Sequence, residues 1–364
     1  MKHSLLIIGD EIRINKELLG YIFDSYERHF GELGEIKFGY KNKDLPFLIE
    51  DMINEFDILC IFARDDSYAT IAKILATLSS DTLELKDGEN FVPKNALKFQ
   101  NNSFLIKLNQ TQINLIKANP TEKLGDLLSK YERDFSYFTL FDIDADSAKI
   151  LLDPLAKTYE INISLSEIIT NLVLIRAKAN KFGQIEGFLQ GVKTLFPQKM
   201  CEGGDIIKFI AERLIQKGLK ISFAESCTAG LAAAKFARFS GVSGAFDGSL
   251  VTYANELKHE WLGVSNDVLD TYGAVSEHCV RAMLKGALNN SNADFALAIS
   301  GVAGPSGGSI EKPVGTVFVG AASSDGSMIV ERLMLNGERN YIREQSVLSA
   351  YLCLLRLKSE IFFA

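Results

Sequence analysis

Ser226, Cys227 and Thr228 follow an apolar run at 219–224 and precede a stretch at 231–239 with helical apolar spacing. A strand would therefore deliver three polar side chains to the mouth of a helix. There, first-turn N–H groups and the positive end of the helix dipole face a bound anion or a developing oxyanion. Three further segments share this position at a strand end or a helix start, where open α/β sheets carry their sites. Tyr253-Ala-Asn-Glu-Leu-Lys258 is one: alternation sets Tyr253 and Asn255 on one side of the strand end, and Asn255 is expected to cap the helix carrying Lys258. Ser300-Gly-Val-Ala-Gly-Pro-Ser-Gly-Gly-Ser309, followed by Lys312-Pro-Val-Gly-Thr316, is another. Its glycines let backbone approach a phosphate or carbonyl oxygen, although no Gly-Lys-Ser/Thr makes it a Walker loop. In Asn336-Gly-Glu-Arg339 with Arg343, two guanidinium groups near a helix start can fork onto a phosphate.

Each segment also has a plainer explanation. Ser or Thr at a helix start caps it, arginines four residues apart form a solvated face, and glycine loops make tight turns. Tyr253 can plug a core edge with its hydroxyl outside. Cys227 reads as a small buried hydrophobe, with His259 the partner nearest in sequence that would activate it, and His278 reads as a helix-surface residue. Four such segments within about 160 residues nevertheless argue for a common site.

The elements that must position them are those of an α/β protein. With 364 residues, the chain is long enough for two or three cores. Hydrophobic content of 47% and charged content of 23% are those of a globular protein, and a net charge of −7 gives no general footprint for nucleic acid or an anionic membrane. No apolar run is long enough to span a bilayer and residues 5–8 are too short for a signal-peptide core, so a cytoplasmic location is expected. Five cysteines without a C-x-x-C pair and four histidines without ligand spacing point to reduced thiols and no structural metal.

Strand–helix–strand order over 4–8, 45–56 and 56–63 predicts an N-terminal α/β domain at 1–133. Residues 134–198 read as a small α+β module, with strands at 137–141 and 159–165 and helices at 168–178 and 185–196. The proline and glycines of 197–205 carry a hinge signature, and 199–364 reads as an α/β/α sandwich.

Ala224-Glu-Ser-Cys-Thr-Ala-Gly, Val251-Thr-Tyr-Ala-Asn-Glu-Leu-Lys, Gly273-Ala-Val-Ser, Ser300-Gly-Val-Ala-Gly-Pro and Lys312-Pro-Val-Gly-Thr-Val, in that order, resemble the CinA family (competence/damage-inducible protein A), specifically its C-terminal nicotinamide-nucleotide amidohydrolase domain. The likeness covers roughly 206–357. It implies hydrolysis of nicotinamide mononucleotide to nicotinic acid mononucleotide and ammonia, without cofactor or metal, in a homodimer or higher homo-oligomer. By resemblance, Ser226 matches the nucleophile, Lys258 its base, and Tyr253 completes the catalytic set. Glu225, Thr228, Asn255, Gly301, Gly304 and Arg339 then fall in the substrate-binding set, with Thr228 and the glycine loop as oxyanion donors and Arg339 for the 5′-phosphate. Ala229 replaces a common glycine, Ala254 a serine, Leu257 an alanine and Glu338 an aspartate.

The module at 134–198 is similar to the KH-like insert of full-length relatives. The N-terminal domain resembles their molybdopterin-biosynthesis-like domain, associated with ADP-ribose hydrolysis, but lacks its glycine turns. After the 58–62 strand stands Ala63-Arg-Asp-Asp-Ser-Tyr-Ala-Thr70, and after 103–107 stands Leu108-Asn-Gln-Thr111. Without those glycines backbone cannot bend close to a pyrophosphate, and Asp65 and Asp66 repel it. Gly9-Asp-Glu11 is the surviving fragment, and a pseudo-domain without pyrophosphatase activity is expected. The rival readings are an active ADP-ribose pyrophosphatase and a non-catalytic nucleotide-binding, competence-associated protein.

Overall fold

The computed structural model describes residues 1–363, which divide into two compact units, Met1–Arg133 and a second beginning at Asp134. The first unit contains β1 (His3–Ile8), α1 (Asp10–Arg13), α2 (Lys16–Phe30), β2 (Glu35–Gly39), α3 (Leu45–Glu55), β3 (Ile58–Ala63), α4 (Asp65–Leu78), the β4 (Leu83–Lys86) and β5 (Asn90–Pro93) hairpin, β6 (Lys98–Gln100), β7 (Ser103–Leu108) and β8 (Thr111–Lys117). Its sheet has the order β2-β1-β3-β8-β7-β6, in which the first four strands are parallel. β1 and β3 are buried on both faces, as parallel strands between helix layers must be. Helix α2 packs on one face through Leu18, Ile22, Tyr26 and Phe30, while α3 and α4 cover the other.

The topology corrects one sequence expectation. Leu108-Asn-Gln-Thr111 is the hairpin turn between antiparallel β7 and β8, with Asn109 left-handed at φ +55°. A two-residue connection cannot make a parallel crossover. The strand that ends beside Ala63 is β8, so the segment facing Asp65 across the sheet edge is Lys117-Ala-Asn119. Lys117 Nζ reaches Asp65 Oδ1 at 2.8 Å and Asn119 Nδ2 donates to Oδ2 at 2.9 Å. The Lys117 ammonium holds the Asp65 carboxyl below the usual range.

The second unit opens with β9 (Phe135–Phe141), α5 (Ala145–Thr158), β10 (Ile161–Ile169), β11 (Leu172–Ala179), α6 (Ile185–Leu195) and β12 (Met200–Glu202). These form an antiparallel sheet, β10-β11-β9-β12, with α5 and α6 packed through Ala148, Leu152, Phe188 and Val192. The helix expected at 168–178 is instead the end of β10, a turn at left-handed Asn171 and most of β11. The apolar run there satisfies either period, and its pairing with β9 and β10 decides for strand. The expected hinge at 197–205 is ordered by pairing as well: Met200–Glu202 adds β12 to β9, and Asp205 caps the next helix through the N–H groups of Ile207 and Lys208.

The remainder comprises α7 (Ile206–Lys217), β13 (Ile221–Glu225), α8 (Leu231–Ala237), β14 (Phe246–Val251), α9 (Asn255–Leu262), α10 (Asn266–Tyr272), α11 (Glu277–Asn289), β15 (Phe295–Gly301), β16 (Thr316–Ser323), β17 (Met328–Met334), α12 (Arg339–Leu357) and α13 (Ser359–Phe362). The sheet order is β14-β13-β15-β16-β17, with the first three strands parallel. Alternation along β13 sends Ile221 and Phe223 into a core shared with α7, α8 and α12, and Ala224 into one shared with α9 and α11. The chain thus leaves β13 toward one face and β14 toward the other. Beyond such diverging strand ends lies a crevice that no connection crosses.

Arg356 of α12 ties the antiparallel module to this sheet, donating to Asp142 at 2.8 Å and to Glu331 of β17 at 2.7 Å. Its side chain is largely covered. Arg356→Met leaves two carboxylates facing a gap, and is expected to lower the stability of this unit by roughly 2 kcal/mol. Urea unfolding followed through Trp261, the one tryptophan, measures it; an unchanged midpoint would mean the tie contributes nothing.

Candidate active site

Glu225 ends β13 and is completely buried. Its carboxylate accepts from Ala232 N and Ala233 N, each at 3.0 Å, which are first-turn N–H groups of α8. This corrects two expectations. Glu225 is no substrate contact but the cap of the helix, and the helix end expected to receive an anion is already filled by a carboxylate of the chain. With seven residues, α8 is also too short for a substantial dipole.

Ser226 continues the strand by one residue, since its N–H still pairs with Ile299 O at 3.0 Å. Continued alternation turns its side chain away from α8, toward the face covered by α9 and α11. Its hydroxyl makes no hydrogen bond among the described residues. The chain then closes a tight turn, Ala229 N donating to Ser226 O at 3.1 Å, with Ala229 left-handed at φ +48° and Gly230 at φ +90°. Within the turn, the N–H groups of Cys227 and Thr228 donate to no other described residue. These backbone donors, adjacent to the hydroxyl, are suited to a tetrahedral oxyanion. The Thr228 hydroxyl is not: Thr228 is fully buried, with Oγ1 unpartnered. Cys227 is buried, and burial pushes its thiol up to about 11, which makes it inert at neutral pH.

Lys258 lies on α9 with 1% of its surface exposed. Nζ donates to Thr252 O at 2.8 Å and to Tyr253 O at 3.1 Å. Those carbonyls immediately follow β14, where Thr252 N pairs with Glu225 O, so the amine lies beside the end of β13. Burial lowers the Lys258 pKa, opposed by the nearby thiols of Cys279 and Cys227 and by Glu256. A neutral amine has two N–H donors and one lone pair. Two carbonyls take the donors, and the lone pair remains for a proton. No hydrogen bond joins Lys258 to Ser226 directly.

Asn255 does not cap α9. The N-cap is Ala254 and Asn255 is the first helical residue, exposed, without a side-chain cap bond. Tyr253 is 57% exposed at the crevice mouth. Its hydroxyl accepts from Arg339 Nη2 at 3.1 Å, while Arg339 Nη1 donates to Gly304 O at 2.6 Å. Tyr253, Arg339 and the glycine segment are thus brought together in one strap, with the guanidinium at the surface. Gly301 and Gly304 are small for internal reasons: a Cβ would lie 2.7 Å from the Val317 side chain at the first and 2.6 Å from that of Val314 at the second. Their place in the fold is packing against β16 and its approach.

Two groups within the motifs quoted above were given no role of their own by sequence reasoning. Thr252 is fully buried beside Lys258 with an unpartnered hydroxyl, and only its place next to a strand end would have signalled it. Ser300 Oγ donates to Ala274 O at 2.7 Å, tying the loop ahead of α11 to the end of β15. Among the described residues no cluster of His, Cys, Asp or Glu could hold a metal ion, and no helix is long and apolar enough to cross a membrane.

Comparison with known proteins finds relatives for the residues that carry this site. The sequence profile of the CinA C-terminal domain matches residues 204–358. A nicotinamide-nucleotide amidohydrolase, PncC, of Enterobacter agglomerans is 45% identical over 147 residues, covering 40% of this chain and 90% of that protein. A CinA-like protein of Thermosipho melanesiensis is 35% identical over 206 residues; the match spans only about half the length of either protein, 51% of each. The crystal structure of the competence/damage inducible protein CihA of Agrobacterium tumefaciens, 40% identical, is covered to 96% by 43% of this chain, with a TM-score of 0.41. Such identity across nearly the whole of a relative, with the strand-end serine and the buried lysine within the matched region, means that this chain belongs to the CinA family.

Proposed function

We propose that the second unit is an amidohydrolase that converts nicotinamide mononucleotide and water to nicotinic acid mononucleotide and ammonia. The observation that carries the reading is the buried amine of Lys258, its pKa lowered and its two N–H donors taken by carbonyls, beside the strand end that presents the free hydroxyl of Ser226. The name borne by the Enterobacter relative supplies the substrate class.

With substrate bound, the Lys258 lone pair takes the Ser226 proton as Oγ attacks the carboxamide carbon. The carbonyl oxygen becomes an oxyanion held by the N–H groups of Cys227 and Thr228. The Lys258 ammonium returns its proton to the departing nitrogen, the C–N bond breaks and ammonia leaves an acyl-serine ester. Water, deprotonated by the same amine, attacks that ester, and collapse frees Ser226 and the acid. Arg339 and Tyr253 at the mouth suit the ribose phosphate, since the guanidinium can exchange the Gly304 carbonyl for a phosphate oxygen. Nothing in the sequence needs a cofactor. The reaction belongs to a reducing cytoplasm, where the five thiols stay free, and to a homo-oligomer.

The first unit is read as a degenerate domain of molybdopterin-biosynthesis-like type, and residues 134–198 as a KH-like module. At the sheet edge where a pyrophosphate would sit, Asp65 binds Lys117 and Asn119 instead, so an anionic ligand meets a carboxylate and a lysine already neutralised. Incubation of the intact chain with ADP-ribose and a divalent cation is expected to release no AMP.

Ser226→Ala and Lys258→Met should each lower ammonia release from nicotinamide mononucleotide by at least about 10³-fold. Turnover retained in either variant removes that residue from the mechanism. Because activity needs the neutral amine and burial lowers its pKa, kcat should rise with pH along a limb whose midpoint lies below the ordinary lysine value of about 10.4. A limb at the ordinary value, or a flat profile, contradicts the assignment of Lys258 as base.

A further inference from the structure

We infer that Arg343 is a positioning residue that sets the oxyanion-binding turn after Ser226, and that it does not bind substrate. This rests on the amidohydrolase reading for its substrate, though not for its geometry. The peptide between Thr228 and Ala229 is gripped at both ends. Its N–H, on Ala229, donates to Ser226 O at 3.1 Å; its carbonyl, on Thr228, receives Arg343 Nη2 at 2.6 Å and Leu231 N at 3.1 Å. Arg343 Nη1 is anchored in turn on Asn340 Oδ1 at 3.0 Å, one helical turn back on α12, and its Nε is buried without a partner.

The grip has something to hold. Ala229 adopts φ +48° with a Cβ present, a conformation L-residues rarely take, and Gly230 follows at φ +90°. Were the 228–229 peptide free to flip, Ala229 would relax toward negative φ and the turn that aims the N–H groups of Cys227 and Thr228 would open. Glu225 binds Ala232 N and Ala233 N beyond the turn and fixes the helix but not the peptide, so Arg343 is the side chain that reinforces the two backbone bonds on it. Arg343 also differs from Arg339 in where it lies. Arg339 is exposed at the mouth on Gly304 O and Tyr253 Oη, whereas Arg343 is half-buried on the Thr228 carbonyl of the turn.

Two readouts on the full chain separate this inference from the substrate assignment. In the first, ammonia release from nicotinamide mononucleotide is measured for Arg343→Met, Arg343→Lys and Arg343→Ala. The expected result is a fall in kcat of about 100-fold for Met and Ala with KM within about threefold, and partial recovery in Lys. Added guanidinium ion should restore part of the Arg343→Ala rate where methylammonium does not. A rise in KM with kcat preserved would make Arg343 a substrate-phosphate ligand and overturn the inference. In the second, a fluorophosphonate probe labels Ser226, followed by intact mass; this reaction needs the oxyanion donors but no nicotinamide. Labelling should slow about 100-fold in Arg343→Met. If wild type labels in an Arg343-dependent way yet releases no ammonia, the substrate reading fails and the positioning role stands. Equal labelling of wild type and Arg343→Met, or no labelling of wild type, overturns it.

Discussion

A lysine amine withdrawn from water loses the hydration that stabilises its charged form, and the Lys258 amine is withdrawn almost entirely. No carboxylate is paired with it. Its two acceptors are neutral main-chain carbonyls at the end of β14, which satisfy an NH2 group fully and an NH3 group incompletely. The thiols around it are themselves held protonated by burial, Cys279 at about 11. The surroundings therefore shift the amine toward its neutral form, the direction the proposed role as base requires. A histidine would give a base at neutral pH with less burial, but it would need a carboxylate to orient it.

The second constraint is the fate of the first-turn N–H groups of α8. Glu225 consumes them from within, which leaves the N–H groups of the turn, and not those of the helix, open to a bound anion. Because β13 and α8 pack on one another through Phe223, Ala232 and Phe236, the carboxylate that ends the strand is already facing the helix when the chain reverses. The next residue, pointing the other way, faces α9. Alternation along a single strand thus separates a structural glutamate from a candidate nucleophile one position later, and the parallel neighbours β14 and β15 fix both.

How much of this was legible follows from the range of the interactions. Helix α7 falls where its apolar spacing and Gly218 put it, with Gly218 left-handed at the C-cap, because both signals are local. β13 and the turn after it were legible for the same reason. The 168–178 segment was misread as a helix because a short apolar run does not reveal its period until it has partners. Glu225 was misread because its cap spans seven and eight residues, beyond any N-cap pattern that sequence displays. Arg343 was seen as one of a pair, yet its contact with Thr228 bridges 115 positions and depends on strand order, which no local pattern encodes. Asn255 has the composition of a cap, but the strand-end backbone puts Ala254 in that place.

The first unit makes the complementary point about what selection on a fold preserves. Its cores on both sides of the sheet are filled mainly by Leu, Ile and Phe, and buried Asn114 is satisfied from within the sheet by Ser103 and the Phe104 carbonyl. At the sheet edge the chemistry has turned inward. Lys117, nearly buried, would be costly without a partner, and Asp65 supplies one from the first turn of α4, where a negative charge also suits the helix dipole. Asn119 completes the ring. A site built to take an anion from solvent has to leave its cation unpaired until the ligand arrives. Here the cation is satisfied in advance, so an arriving phosphate must first displace a covalently tethered carboxylate. That competition, together with the missing glycines, is the physical ground on which the proposed loss of pyrophosphatase activity rests.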